Sequence, residues 1–190
     1  MADSAQRPLR ADARRNRDRI LAAAVRMFAE EGLDTHLERI AKEAGVGSAT
    51  LYRNFATREA LIEAVYRNEV AQLCDAVPEL LAEKPPYEAL RAWTRLFLDY
   101  VTAKFGMVDA LRAIAAGGNN PYGHSREMIQ VAITALMDAC AAAGTIRTDI
   151  SPTDMGAALE GIAVTSGMPE HRERAERLLD LTLDGLRVRP

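Results

Sequence analysis

Leu37, Ala41, Gly45 and Leu51 stand at positions one, five, nine and fifteen of a stretch that can fold as two short helices around a tight turn. Each residue type answers a separate steric demand. Small Ala41 lets the two helices approach, Gly45 can take the positive φ of the turn, and Leu51 anchors the second helix inward. With Leu51 and Phe55 four residues apart and facing in, Ser48, Ala49, Thr50, Tyr52 and Arg53 turn outward. Those groups suit the edges of a nucleic-acid groove. Arg53 can fork onto guanine, Thr50 can touch a thymine methyl or a phosphate, and Ala49 permits close approach. The plainer alternative is an ordinary helical hairpin with a solvated face.

Four helices must position this stretch. Residues 1–11 contain Pro8 and no apolar period, which predicts a mobile basic arm before a first helix starting near Asp12. Ile20, Leu21, Ala24, Val25 and Phe28 recur at three and four, and Gly32 suits the left-handed stop. Thr35 with Glu38 three residues on predicts a capping box for the second helix, whose inward face is Leu37, Ile40, Ala41 and Ala44. Gly47 or Ser48 caps a third helix ending near Phe55. Thr57 caps a longer fourth helix, with Glu59 in its first turn and Leu61, Ile62, Val65, Tyr66 and Leu73 along one side.

Composition agrees with a helical chain. Ala 34 and Leu 20 outweigh Val 10, Ile 9 and Thr 11, which favours helix over strand and excludes an all-β fold. The most apolar stretch, Met128 to Gly144, is interrupted by Gln130, Thr134 and Asp138, so no membrane span is expected. Six arginines in the first twenty residues, without an apolar core behind them, do not make a secretory signal, and a cytoplasmic location is expected. Charge is uneven: residues 1–60 carry +2 and residues 61–190 carry −5, for a net −3. A basic end on an acidic body is what a phosphate-binding protein shows. Cys74 and Cys140 offer neither a disulfide framework nor metal-finger spacing, and both are expected reduced and buried.

Enzyme chemistry finds little support. His36, His124 and His171 stand at no metal-ligand spacing, so no metal or cofactor is expected. Gly45-Val46-Gly47-Ser48-Ala49 has its serine in the fourth place rather than the third place of a nucleophile elbow. Phosphate-loop and dinucleotide glycine motifs do not occur. Glu170, His171, Arg172, Glu173, Arg174, Glu176 and Arg177 form a mixed charge cluster that fits a solvated helix start.

From Arg19 to Val65 the string RILAAAVRMFAEEGLDTHLERIAKEAGVGSATLYRNFATREALIEAV closely resembles the N-terminal domain of the tetracycline-repressor-like (TetR) transcriptional regulators. Its most specific parts are Ile40-Ala41 with Ala44-Gly45-Val46, then Thr50-Leu51-Tyr52 and Phe55, then Arg58-Glu59-Ala60-Leu61. The resemblance implies that Thr50, Tyr52 and Arg53 meet DNA and that Arg58 lies near phosphate. Ser48, Ala49, Asn54 and Thr35 complete the expected DNA-facing set. Two departures stand out: Gly47-Ser48 where the family often has Ser-Lys, and Asn54 where it often has His. The missing lysine weakens one expected phosphate contact.

The resemblance also implies a ligand-sensing and dimerisation domain in the remaining helices. Further helices are expected from the residues after Pro86 to Gly106, from Met107 to Ala116, over 124–143 as a central helix enclosed by protein, from Ser151, and from Pro169 to Leu186. Trp93, Phe97, Tyr100, Phe105, Met107, Leu111, Met128, Ile129, Ile133 and Met137 are the candidate cavity lining, against the plainer expectation of packed core. Asp99, Asn119, Asn120, Tyr122, His124 and Gln130 are candidate polar contacts to a ligand. Leu181 and Leu183 widen the apolar arc of the last helix, favouring one face inward and one toward a second copy through the last two helices.

The expectation is therefore an all-α protein: a basic arm at 1–11, a three-helix helix-turn-helix DNA-binding domain at 12–57, and a larger helical ligand-binding and dimerisation domain at 58–190. Its expected partners are a double-stranded DNA operator of palindromic form, an unknown small-molecule effector and a second copy, with no membrane. The expected function is a repressor released by that effector. The alternative is a helical small-molecule binding or carrier protein without DNA binding.

Overall fold

The computed structural model of the chain describes residues 3–118, 120–166 and 168–188, with the side chains of residues 3–11 and of Pro169 outside that description. Helix α1 spans Asp3–Glu31, α2 Leu37–Glu43, α3 Ser48–Asn54, α4 Arg58–Glu83 and α5 Pro86–Gly106. Then come α6 Val108–Ala116, α7 Tyr122–Ala142, α8 Pro152–Ser166 and, after a 3-10 turn at Pro169–His171, α9 Arg172–Leu186. The all-α architecture expected from composition is what the described residues adopt. An isolated antiparallel bridge joins Ile146 to Arg187.

Two units pack separately. The first takes the chain up to Asn68 together with α6; the second takes Glu69–Phe105 and the residues from Asn120 onward. The packing division thus falls inside α4 rather than after Thr57. A helix start is visible in sequence because Thr57 caps it, its Oγ1 accepting from the Ala60 amide at 3.1 Å. A change of packing partner along one unbroken helix leaves no such mark. The backbone of residues 3–11, expected as a mobile arm, is helical, and α1 begins at Asp3 rather than near Asp12. Alanine and arginine are good helix formers, so α1 extends without needing an apolar stripe there.

In the first unit α1, α2 and α3 pack on one another. Ile20, Ala23, Ala24, Leu37, Ile40, Ala41, Leu51 and Phe55 are its buried centre. In the second unit the Trp93 indole N–H of α5 donates to the Leu73 carbonyl of α4 at 2.9 Å, fully buried. Trp93, Phe97 and Tyr100 run along α5 with ring centroids 5.9 and 6.0 Å apart. Arg91 and Arg172 pair with Asp180 and Asp99, linking α5 to α9, at 3.1 and 2.5 Å. Helix α7 packs on α8 and α8 on α9.

Helix α7 differs from its expected enclosed setting. It buries Ala132, Ile133, Leu136, Met137 and Cys140 along one stripe, while Val131 is 70% exposed and Ala135 also faces out. Alanine on both faces gives little contrast between inside and outside, which is why the sequence pattern overstates the burial. Among the described residues no helix is long and apolar enough to cross a membrane.

Candidate nucleic-acid interface

The turn between α2 and α3 is built by two residue types acting together. Gly45 takes φ +64, a left-handed conformation that a Cβ disfavours. The Val46 amide then closes back on the Ala41 carbonyl at 2.9 Å. Ala41 is 1% exposed and Leu51 0%, so the close approach and the inward anchor expected at these positions are both present. The short α3 gains a further hold from α1, because the Arg17 guanidinium lies 4.5 Å from the centre of the Phe55 ring.

What remains outward is the expected stripe. Ser48, Ala49, Tyr52 and Arg53 are exposed, and Thr50 and Asn54 are half-buried. Arg53 is folded onto its own helix: Nε donates to the Ala49 carbonyl at 3.2 Å and Nη2 to Thr50 Oγ1 at 3.1 Å. Asn54 Nδ2 donates to the Thr50 carbonyl at 2.8 Å. The hydroxyl of Tyr52 donates to Glu38 Oε1 at 2.8 Å, across from α3 to α2. That bond holds the Glu38 carboxyl below its usual range and pushes the Tyr52 phenol up.

Thr35 does not belong to this stripe. It is 6% exposed, and its hydroxyl donates to the Gly32 carbonyl at 2.9 Å instead of capping α2. The residue that caps α2 by position is His36, without a side-chain hydrogen bond, and Glu38 faces Tyr52. The expected capping box is therefore absent: Gly32, at φ +84, turns the chain so that Thr35 faces the end of α1. Arg58 is half-buried, and its Nη1 donates to the carbonyls of Leu33 and Thr35, the latter at 2.7 Å. Arg39 and Glu31 add a two-pronged ion pair over the same turn, both contacts at 2.6 Å. Glu38, Arg39 and Arg17 were not among the residues expected here. Glu38 and Tyr52 are fourteen positions apart, and only the tilt of α2 against α3 brings them together.

The expected cavity lining divides between the two units. Met107 and Leu111 belong to the first and are buried. In the second, Trp93, Phe97, Tyr100, Ile133 and Met137 are buried, whereas Phe105, Met128 and Ile129 are half-buried. None of the ten lines the groove formed by Arg91, Thr94, Arg95, Glu176, Leu179, Asp180 and Leu183. The polar candidates are largely engaged. Asp99 accepts from Arg172, Asn120 Oδ1 from the Tyr122 amide at 3.0 Å, and His124 lies 4.0 Å from Glu127. Gln130 packs so closely on α8 that a Cβ at Gly156 would stand 2.8 Å from its Oε1. Asn119 lies outside the described residues. Lys104 sits 5.3 Å from the centre of the Tyr122 ring, and burial lowers the pKa of its ammonium.

Two inward anchors, a left-handed glycine and an exposed polar stripe define a helix-turn-helix unit of the kind transcriptional regulators use. Residues 20–65 match the tetR family of bacterial regulatory proteins, and residues 85–188 match the C-terminal domain of SbtR-like transcriptional regulators. A TetR transcriptional regulator from Streptomyces coelicolor is 74% identical, with 92% of this chain and 99% of that one covered and a TM-score of 0.83. A TetR transcription regulatory protein from Mycobacterium vanbaalenii is 34% identical over 95% of this chain and 100% of the other, at TM-score 0.76. An HTH-type transcriptional regulator of Staphylococcus aureus is 33% identical over 113 residues; that match spans 60% of the relative's own length. The chain belongs to the TetR family of bacterial transcriptional regulators.

Proposed function

We propose that the chain is a homodimeric, cytoplasmic repressor that reads a palindromic operator through α3 and leaves it when a small molecule occupies the second unit. The observation that carries the DNA-reading part is the division of α3 into buried Leu51 and exposed Ser48, Ala49, Tyr52 and Arg53. Arg53 reads a guanine once its guanidinium leaves Thr50, with Thr50 and Asn54 beside it; Ser48 and Ala49 lie where the groove comes closest. Arg58 contributes by holding the turn ahead of α2. Val164 on α8 and Leu181 on α9 are 74% and 70% exposed in the single chain, which supports pairing of two copies through the last two helices. A two-fold pair matches a two-fold operator.

Release follows only if the effector binds one dimer geometry better than the other, because equal affinity for both shifts nothing. A difference of about 1–3 kcal/mol suffices for substantial release. Trp93, Phe97, Tyr100, Phe105, Met128, Ile129, Ile133 and Met137 are the apolar set in the second unit from which such a site would be drawn.

Mobility-shift titration against the DNA flanking the protein's own gene tests the proposal. Arg53→Ala should cost about 1–3 kcal/mol and relax specificity at one base pair. Equal binding by Arg53→Ala and wild type sinks the base-reading role. Absence of any duplex binding favours a helical carrier instead.

A further inference from the structure

A tyrosine hydroxyl has one proton to give, and in Tyr52 that proton is already committed. Tyr52 Oη donates to Glu38 Oε1 at 2.8 Å, and both side chains are exposed on the helix-turn-helix unit. While the bond stands, the tip of Tyr52 offers lone pairs only. It cannot donate to a phosphate oxygen. The carboxylate beside it is a second acceptor and carries negative charge, so this corner of the stripe is mismatched to phosphate and matched to a hydrogen-bond donor. In the major groove the base-edge donors are the exocyclic amines, N6 of adenine and N4 of cytosine. Guanine and thymine present carbonyl oxygens at the equivalent places.

We propose that Glu38 is a specificity-determining residue acting through Tyr52: by accepting the phenolic proton it makes the Tyr52 tip an acceptor, which selects an amino base over a keto base on one strand of each half-site. This rests on the DNA-reading role proposed for α3. Arg53 supplies the donor-type reading of that helix, and the Glu38–Tyr52 pair supplies its acceptor-type counterpart. Glutamine in place of Glu38 keeps an oxygen able to take the proton. Alanine frees the hydroxyl to donate.

The test is selection of binding duplexes from a randomised pool by wild type, Glu38→Gln, Glu38→Ala, Tyr52→Phe and the Glu38→Ala/Tyr52→Phe double variant, with circular dichroism to confirm equal helix content. Affinities are then compared on the enriched duplex and on duplexes with each position exchanged from amino to keto base. Wild type and Glu38→Gln should show, at one position per half-site, a preference of about fivefold for the amino base, the size of one directed hydrogen bond. Glu38→Ala and Tyr52→Phe should both lose it, and the double variant should lose no more than either. Retention of the preference by Glu38→Ala, or its absence from wild type, overturns the inference while leaving α3 as the DNA reader. If wild type enriches no duplex, the DNA-reading role falls and this inference falls with it.

Discussion

Arg58 Nη1 donates to the carbonyl oxygen of Thr35 at 2.7 Å, tying the first residue of α4 to the turn that opens α2. The same nitrogen also serves the Leu33 carbonyl. Arg58→Ala leaves both part-buried carbonyls without that donor and should lower stability by about 1–3 kcal/mol in urea titration. The salt dependence of DNA binding then separates two roles. Loss of a direct phosphate contact reduces the slope of log K against log salt by about 0.9, whereas loss of a turn clamp weakens binding at unchanged slope. The unchanged slope is expected.

Gly45→Ala places a Cβ on a backbone at φ +64. Space is not the obstacle, since the nearest atom, Arg19 Nη1, stands 3.6 Å away at ordinary contact distance. The left-handed conformation costs about 1–2 kcal/mol, which thermal unfolding would read as a lowered Tm. Gly45→Asn should recover part of it, because asparagine tolerates this region better than alanine does.

Val164→Glu and Leu181→Glu charge two side chains that are 74% and 70% exposed in the single chain. A solvated surface absorbs such changes within about 0.5 kcal/mol. If instead these residues meet a second copy, each variant should sediment as a monomer with its helix content intact. A variant that remains a dimer removes its helix from the proposed interface.

The start of α8 carries a pH dependence of defined sign. Asp154 Oδ2 accepts from the Ser151 hydroxyl at 2.7 Å and from the Ser151 amide at 2.9 Å, and these bonds hold its carboxyl below the usual 3.8. The ionised form is favoured by folding. Its contribution is present above the unfolded carboxyl value and is lost as pH falls through the depressed folded value. Asp154→Asn should therefore show a shallower loss of stability below about pH 4 than wild type in acid titration.

Cys74 is half-buried, and burial pushes its thiol up to about 11. At pH 8 only about one molecule in a thousand carries the thiolate, the reactive form. Reaction with a thiol-specific reagent should be slow at pH 8 and rise about tenfold per pH unit toward 10. Fast reaction at neutral pH would show that the helices around Cys74 open readily.

Much of this architecture was legible from residue spacing. The three-four recurrence of apolar side chains locates α1, α2 and α4, and Gly45, Ala41 and Leu51 mark the turn because each meets a local steric demand. Contacts set by helix tilt were not. Thr35 and Glu38 satisfy the spacing of a capping box, yet the left-handed Gly32 turns Thr35 toward α1 and the crossing of α2 with α3 gives Glu38 to Tyr52. The family resemblance implies a place near phosphate for Arg58, whereas the nearness of the Leu33 and Thr35 carbonyls that it bonds is a property of the folded unit. Trp93, Phe97 and Tyr100 of α5 are buried, and spacing alone does not separate a lining from a packed core.

The resting position of Arg53 bears on kinetics. Its guanidinium lies along its own helix, bonded to Ala49 and Thr50, and so meets an arriving duplex sheathed. Under the base-reading role proposed for Arg53, a protein gliding over unrelated sequence needs no side-chain rearrangement at each step, and the swing of one arginine is required only where a guanine can receive it. On the proposed reading, speed of scanning and tenacity at the target are then governed by different contacts of one side chain, the first by its bonds along α3 and the second by the base it reaches.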